Sequence, residues 1–364
     1  MSQEKDGSSK MTLVKTLREK IDSIDKDLLH LINQRAQYAM TIADLRLTEQ
    51  ASNFSPDRES YIFKNLRNCN PGPLSESAVS NVFSEIISVC RSIRKPLKVA
   101  YLGPKGTFSH SVALKRFGRA SIFVPQVSIE DIFHEVENSS VDVGITPVEN
   151  SLEGSVAETL DQLIESDVNI CGEVFFRIKH CLLSKEERLF DIVKVYSHPQ
   201  AFGQCRKWLR KNLPSASLIP ESSTSAAIRR VMTESHAAAI GNQYGAEEHN
   251  LPVLAAEIQD SPRNTTRFLL IGNQQSVRTG NDKTSMIFAA KHAPGALYRC
   301  LGHFAQRDLN LTKIESRPCK NHKWEYYFFV DVIGHQNDPQ MMQAIENLRS
   351  DATFLKVLGS YPIE

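Results

Sequence analysis

No CxxC pair occurs among the seven cysteines, and no two histidines or cysteines stand at metal-ligand spacing. That argues against a zinc site and a disulfide scaffold, and predicts a metal-free chain suited to a reducing cytoplasm. No apolar run approaches the ~20 residues that a membrane-spanning helix needs. The opening residues Met1, Ser2, Gln3, Glu4, Lys5 and Asp6 are polar, unlike the apolar core of an export signal. Excess charge of one sign is missing as well: 43 basic residues face 42 acidic ones, so nothing favours nucleic acid as a partner. The Gly-Pro-Lys-Gly run at 103–106 lacks the GK[ST] ending of a Walker loop, which disfavours nucleotide. A chain of 364 residues is too long for one hydrophobic core, so two or three domains are expected.

Three segments of different character follow. From 12 to 94 the pattern is helical only. Val14, Leu17, Ile21, Ile24, Leu28 and Leu31 recur at spacings of three and four, and Tyr38, Ile42 and Leu45 resume the stripe. This predicts one helix of about 35 residues, roughly 50 Å long. Ser55-Pro56-Asp57 starts a second helix, and a third begins near Ser75 after the breaker Asn70-Pro71-Gly72-Pro73. From 97 onward, short β-branched runs at 99–102, 141–145, 193–196 and 237–240 alternate with Gly, Pro and Ser loops and helices. That is an α/β region with paired subdomains and a cleft between them. Beyond the polar stretch 274–282 the order βαββαβ predicts a ferredoxin-like α+β unit.

Each segment holds residues that admit a functional reading beside a structural one. Arg35 falls where the helix stripe calls for an apolar residue, and Arg18 and Arg46 border the same stripe. A guanidinium there needs a partner, either Asp22, Asp25 or Glu59 within the chain or an anionic ligand. In the middle segment, YLGPKGTFS at 101–109 and PVENS at 147–151 lead from strands into helix starts, where free N–H groups can receive an anion. NTTRF at 264–268 sets an amide, two hydroxyls and a guanidinium before the apolar run 269–271; alone it reads as a turn or cap. His198, preceding Pro199, reads as a turn former, and Cys205 has no partner for nucleophilic work. In the last segment PGALY at 294–298 opens a helix and ESRP at 315–318 follows a strand, with Glu315 and Arg317 free to pair with each other or with the charged ends of an amino acid.

LREKI at 17–21, Gln34-Arg35 and Pro56-Asp57-Arg58-Glu59 resemble the small helical chorismate mutases over residues 1–95. The resemblance implies two interlocked chains, with Arg18 and Arg35 gripping the carboxylates of chorismate and Glu59 bonding the ring hydroxyl. Arg46, Cys90 and Arg94 stand where that family has lysine, serine and glutamine. YLGPKGTFS, PVENS, EGSVAETLD (153–161), SHPQ (197–200), SSTSAA (222–227) and NTTRF, in this order, are similar to prephenate dehydratase over 96–275. This implies a two-subdomain scaffold like a type II periplasmic binding protein, with Thr266 catalytic in the cleft. Arg267 or the helix N-termini are then expected to hold a carboxylate and Phe268 to face the ring, with Glu149, Asn150, Ser151, Ser223, Thr224 and Asn264 in support. PGALY, ESRP and LGSYP (358–362) are similar to an ACT domain over 281–364. There the resemblance implies phenylalanine as effector, bound at Gly295, Ala296, Leu297, Glu315, Ser316 and Arg317 in a homodimer or larger homo-oligomer. Neither reaction needs a cofactor. The alternatives are an arogenate dehydratase, a dehydratase with a degenerate mutase segment, and a non-catalytic sensor of small carboxylates. The NTTRF run weighs against the last.

Overall fold

The structure, a computed structural model, describes residues 3–46, 54–319 and 326–363, with backbone alone at 3–9 and 46. Among the described residues no helix is long and apolar enough to cross a membrane. Three helices come first: α1 (Gln3–Arg46), α2 (Pro56–Cys69) and α3 (Glu76–Ser92). α1 starts earlier than the apolar stripe predicts, because residues 3–11 carry no helix breaker other than Gly7. Proline at its first position opens α2, and the Ser75 hydroxyl caps α3 by accepting from Ala78 N–H at 3.2 Å, as the sequence signals predict. The stripe on α1 is not buried within the chain: Val14, Leu17, Ile21, Ile24, Leu28 and Leu31 are each 48–57% exposed. Only the C-terminal part of α1 packs on α3.

The middle segment is a two-lobed α/β unit. The first lobe contains β1 (Lys98–Leu102), α4 (Phe108–Phe117), β2 (Ile122–Gln126), α5 (Ile129–Glu137), β3 (Val143–Asn150), β4 (Gly154–Ser155), α6 (Ala157–Glu165) and β5 (Asn169–Arg177). The second lobe contains β6 (Cys181–Ser184), β7 (Lys194–Ser197), α7 (Pro199–Gln204), α8 (Arg206–Asn212), β8 (Ser217–Pro220), α9 (Thr224–Val231), β9 (Ala237–Gly241), α10 (Gln243–Glu248) and β10 (Val253–Ala255). The chain then returns to the first lobe as β11 (Thr265–Gly272). The sheets run β2-β1-β3-β11-β5 and β8-β7-β9-β6-β10, the same order in both lobes. In each, three parallel strands are extended by a crossover strand paired antiparallel. The polypeptide therefore passes between lobes twice, at 178–180 and 256–264, and the first passage lines the cleft through Ile178 and His180.

The last segment contains β12 (Asp282–Ala290), α11 (Ala296–Ala305), β13 (Leu311–Pro318), β14 (Tyr326–Ile333), α12 (Pro339–Asp351) and β15 (Ala352–Pro362). Its antiparallel sheet, β13-β14-β12-β15, is the ferredoxin-like arrangement expected. ESRP lies inside β13 instead of after it, because the strand runs on to Pro318. Alternation gives the sheet two buried faces. Met286, Phe288, Val330 and Val332 pack under α11 and α12. Ile287, Phe329, Leu358 and Tyr361 join one hydrophobic cluster with Val148, Leu269 and Ile271 of the first lobe. The approach is close: a Cβ on Gly359 would lie 2.3 Å from the Ile170 carbonyl oxygen, so only glycine fits there.

Candidate active sites

A cavity of about 550 Å³ lies between the two lobes, within the range of small-molecule sites. The N-termini of α4, α6 and α9 open on it through Thr107 and Phe108, Val156, and Ser223 and Thr224. Gly106, at φ +89°, shapes the loop into α4; a Cβ there would meet Ser225 Oγ at 2.9 Å. No lysine or arginine is among the residues lining the cavity, so the free N–H groups of those helix starts are what it offers an anion. The lobes are held together by Asn242 Nδ2 donating to the Gly106 carbonyl (2.9 Å) and Ser225 Oγ donating to the Lys105 carbonyl (2.8 Å).

Thr266 and Phe268 project into this cavity from β11. The NTTRF run is the first half of a strand, not a turn, because Thr265 pairs with β5 and Thr266 to Phe268 pair with both β3 and β5. A register shift in β3 opposite the Arg267/Phe268 step lets Pro147 and Asn150 both face the cavity. Asn150 Nδ2 donates to Thr266 Oγ1 at 2.8 Å and to Asn264 Oδ1 at 2.9 Å. The amide cannot be turned round, since Asn150 Oδ1 accepts from the backbone N–H groups of Leu152 (2.9 Å) and Glu153 (3.3 Å). Thr266 Oγ1 already accepts, which leaves its one hydrogen to be donated into the cavity.

Behind Asn150 the hydrogen bonds continue. Asn264, fully buried, donates to Gln204 Oε1 at 2.8 Å, and His180 Nε2 donates to the same oxygen at 2.7 Å. Burial lowers the His180 pKa, partly opposed by this bond, so the ring is neutral with its hydrogen on Nε2. Gln204 Nε2 donates in turn to Glu153 at 2.8 Å. Of the sequence-predicted residues, Thr266, Phe268, Asn150, Ser223 and Thr224 line the cavity, and Asn264 stands directly behind it. Ser223 also caps α9 by accepting from Ala226 N–H.

Three predicted residues are elsewhere. Arg267 points to the opposite face of β11, where Glu173, Asp331 and Tyr361 occupy its guanidinium; it cannot hold a carboxylate in the cleft. Glu149, opposite Arg267, pairs with Lys313 at 2.7 Å. Ser151 clips the chain to 263–265 through Arg263 O and Thr265 N. Strand alternation explains the first two, and it follows once NTTRF is read as strand. His180, Gln204 and Glu153 were not predicted. Gln204 could have been found from the helix opened by SHPQ, whereas a lone His180 carries no signal. His198 caps α7 through Nδ1 and lines the cavity, and Cys205 is fully buried with its thiol pKa raised by burial.

A second cavity of about 310 Å³ lies among the N-terminal helices and gathers Arg35, Arg58, Glu59, Cys90, Arg91 and Arg94. Arg35 has no ion pair among the described residues, while Arg94 pairs with Asp44. Glu59 is buried with both oxygens occupied, by Arg91 at 2.8 Å and by Arg116 of α4 at 2.5 Å, so it stands between two guanidinium groups and not at an open hydroxyl site. Arg18 is exposed and 17 positions from Arg35, about 25 Å along the helix, too far to reach the same ligand in one chain. The Arg46 side chain lies outside the described residues. In the C-terminal unit Gly295 adopts φ +73° at the N-cap of α11, followed by Ala296 and Leu297. Glu315 and Arg317 instead face the first lobe, bonded to Ser155 and to Asp161 (2.7 Å), and Ser316 is exposed.

Residues 17–95 match the family chorismate mutase type II, residues 99–276 match prephenate dehydratase, and residues 285–350 match the ACT domain. A bifunctional chorismate mutase/prephenate dehydratase of Pseudomonas aeruginosa is 44% identical over 355 residues, covering 96% of this chain and 97% of that protein. That of Aquifex aeolicus is 44% identical over 356 residues, covering 97% and 98%. The prephenate dehydratase of Arthrobacter aurescens, solved in complex with L-Phe, is 33% identical with a TM-score of 0.67, covering 73% of this chain and 90% of that one. With all three matches in order and nearly the full length of such relatives covered, the chain belongs to the bifunctional chorismate mutase/prephenate dehydratases.

Proposed function

We propose that the chain converts chorismate to prephenate at its helical site and prephenate to phenylpyruvate in the cleft, as part of phenylalanine formation, and that phenylalanine acts on it through the C-terminal unit. The observation that carries the dehydratase reading is the fixed direction of the Asn150 amide. It makes Thr266 a hydrogen-bond donor pointed into a cation-free cleft. In the reaction the ring carboxylate of prephenate leaves as carbon dioxide, its bonding electrons enter the ring, and the C4 hydroxyl departs. Thr266 Oγ1–H stabilises the negative charge that develops on that departing oxygen. The helix starts at Thr107, Val156 and Ser223 hold the carboxylates, and Phe268 gives the forming aromatic ring an apolar face.

The mutase step is a rearrangement without a proton transfer, so a compact conformer and cations near the ether oxygen and the carboxylates suffice. Arg35, Arg58 and Arg94 fit that need within one chain. The distance to Arg18 and the half-exposed stripe of α1 support a homodimer in which Arg18 of a second copy completes the site. Seven unpaired cysteines agree with a reducing cytoplasm. The test is to supply chorismate to the purified protein and follow its loss together with phenylpyruvate formation. Loss of chorismate with no phenylpyruvate would remove the dehydratase, and turnover of supplied prephenate alone would remove the mutase.

A further inference from the structure

The strand that carries Thr266 is the wall between the cleft and the C-terminal unit. Its even positions, Thr266, Phe268 and Leu270, face the cleft or the core beside it; of its odd positions, Arg267 and Leu269 face the C-terminal sheet and Ile271 packs beside Ile132 and Val136 of α5 in the same cluster. At the end nearest the reacting group the contact is ionic and buried. Arg267 Nε donates to Glu173 at 2.7 Å, Nη1 to Asp331 at 2.6 Å and Nη2 to the Tyr361 hydroxyl at 2.9 Å. Lys283 donates to the second Glu173 oxygen at 2.7 Å, and Ser285 bridges Asp331 (2.5 Å) and Tyr361 (2.6 Å). All six residues are less than 10% exposed, and none has a buried polar atom left without a partner. Two cations and two carboxylates balance. Both sides contribute: Arg267 and Glu173 come from the dehydratase sheet, whereas Lys283 and Ser285 of β12, Asp331 of β14 and Tyr361 of β15 come from the C-terminal unit.

Such a cluster adds little stability compared with an apolar contact of the same shape, but it tolerates only one geometry. Burial lowers the Arg267 pKa, and the charges around it more than offset this, so the guanidinium remains cationic and cannot relax by losing a proton. Arg267 and Thr266 are consecutive on β11, so a displacement of the strand at Arg267 also moves the Thr266 hydroxyl.

We propose that Arg267 is a positioning residue through which Asp331 and Tyr361 of the C-terminal unit set the placement of Thr266, so that this buried cluster couples the C-terminal unit to dehydratase turnover. The inference rests on the reading of Thr266 as the hydrogen-bond donor. Its consequence is a kcat effect: a shift of β14 and β15 against β11 moves the donor and leaves the helix starts that bind the carboxylates in place.

The test uses the full-length protein with Asp331→Asn, Thr266→Ala and the double variant, assayed on prephenate and on chorismate. Asp331→Asn should lower dehydratase kcat about tenfold with KM changed less than about twofold, because a small misplacement of a reacting group is costly. The mutase rate should not change. With Thr266 already replaced by alanine, the same substitution should cost less than about twofold, whereas a general structural defect costs the same in both backgrounds. Unchanged kcat in Asp331→Asn, or equal losses in the two backgrounds, overturns the proposal. Should Asp331→Asn fail to fold, Tyr361→Phe removes only the hydroxyl and is read the same way, with about a threefold loss expected and none overturning it. Thr266→Ala alone reports on the underlying assignment: near-normal turnover there sinks the donor role itself, while a loss there with Asp331→Asn unaffected sinks only the coupling.

Discussion

The dehydratase cleft and the mutase cavity differ in what one chain supplies. In the cleft every polar group assigned a role is held by partners in the same chain, from His180 through Gln204, Asn264 and Asn150 to Thr266. In the helical segment Arg35 has no ion pair among the described residues, Arg18 lies about 25 Å away, and six apolar residues of α1 remain half exposed. The first site is preorganised by hydrogen-bond direction, which requires a fixed backbone on both sides of the donor. The second needs cations around a flexible dicarboxylate, and cations can come from another copy. The chemistry accounts for the difference. Departure of a hydroxyl depends on one donor at one position, whereas a rearrangement depends on enclosure.

The comparison is sharpened most by removing the donor. Thr266→Ala should lower dehydratase kcat 100-fold or more, the effect of losing one transition-state donor, and leave chorismate turnover intact. Stopped assays with each substrate check both statements, and normal dehydratase turnover breaks the assignment. Next in size, Arg35→Ala should lower mutase kcat/KM about 50-fold, the loss of a charge-assisted bond, with prephenate turnover unchanged. If the two activities fall together, Arg35 is a structural cation. A charge in the α1 stripe tests the second copy directly: Leu28→Asp should make mutase activity depend on protein concentration, down about tenfold at nanomolar dilution, because association would bury an unpaired carboxylate. Sedimentation of the same variant should show a smaller species, and dehydratase activity should stay within about twofold.

Much of this was legible in the sequence. Period and punctuation reveal the three helices, the α/β alternation and the βαββαβ unit, since capping and breaking act locally. What was hidden depends on alternation within strands. Once β11 includes Thr265 to Phe268, Thr266 and Arg267 must face opposite ways, and the arginine expected in the cleft becomes part of the interface. Glu315 and Arg317 follow the same rule: β13 runs through them and directs both at the first lobe. The polar run at 274–282 suggests a C-terminal unit that can be cut away. The shared cluster of Leu269, Ile287 and Tyr361 shows that cutting there would expose apolar surface and strand Arg267 and Glu173, so point variants probe that unit better than truncation.

The last expected effect concerns the loop that opens α4 on the cleft and not on the mutase cavity. His110 Nδ1 accepts the Gly106 N–H at 3.1 Å while its ring stacks on Tyr101 at 4.7 Å, an arrangement that only the neutral ring allows. Burial, helped by the nearby charge of Lys105 and opposed by Glu248, lowers its pKa to about 4. Unfolded, a histidine titrates near 6.5. Between these values the unfolded chain takes up a proton that the folded chain refuses, so stability falls as pH drops from about 6.5 to about 4, by up to roughly 3 kcal/mol from this group. Below that pH the folded ring is protonated too and the loss from this group stops. His180, lowered in the same direction, adds to the slope with the same sign. His110→Asn keeps an acceptor near the Gly106 N–H and removes the titrating ring. Its urea-unfolding free energy should be lower than that of the parent at pH 7, since the stacking on Tyr101 is lost, yet it should decline less between pH 6.5 and 4.5. Dehydratase activity of the parent should fall toward pH 4 before mutase activity does, because a protonated Nδ1 would face the Gly106 N–H donor to donor and disturb the start of α4, where Thr107 and Phe108 line the cleft. Parallel slopes in parent and variant would show that the imidazole does not set this pH dependence.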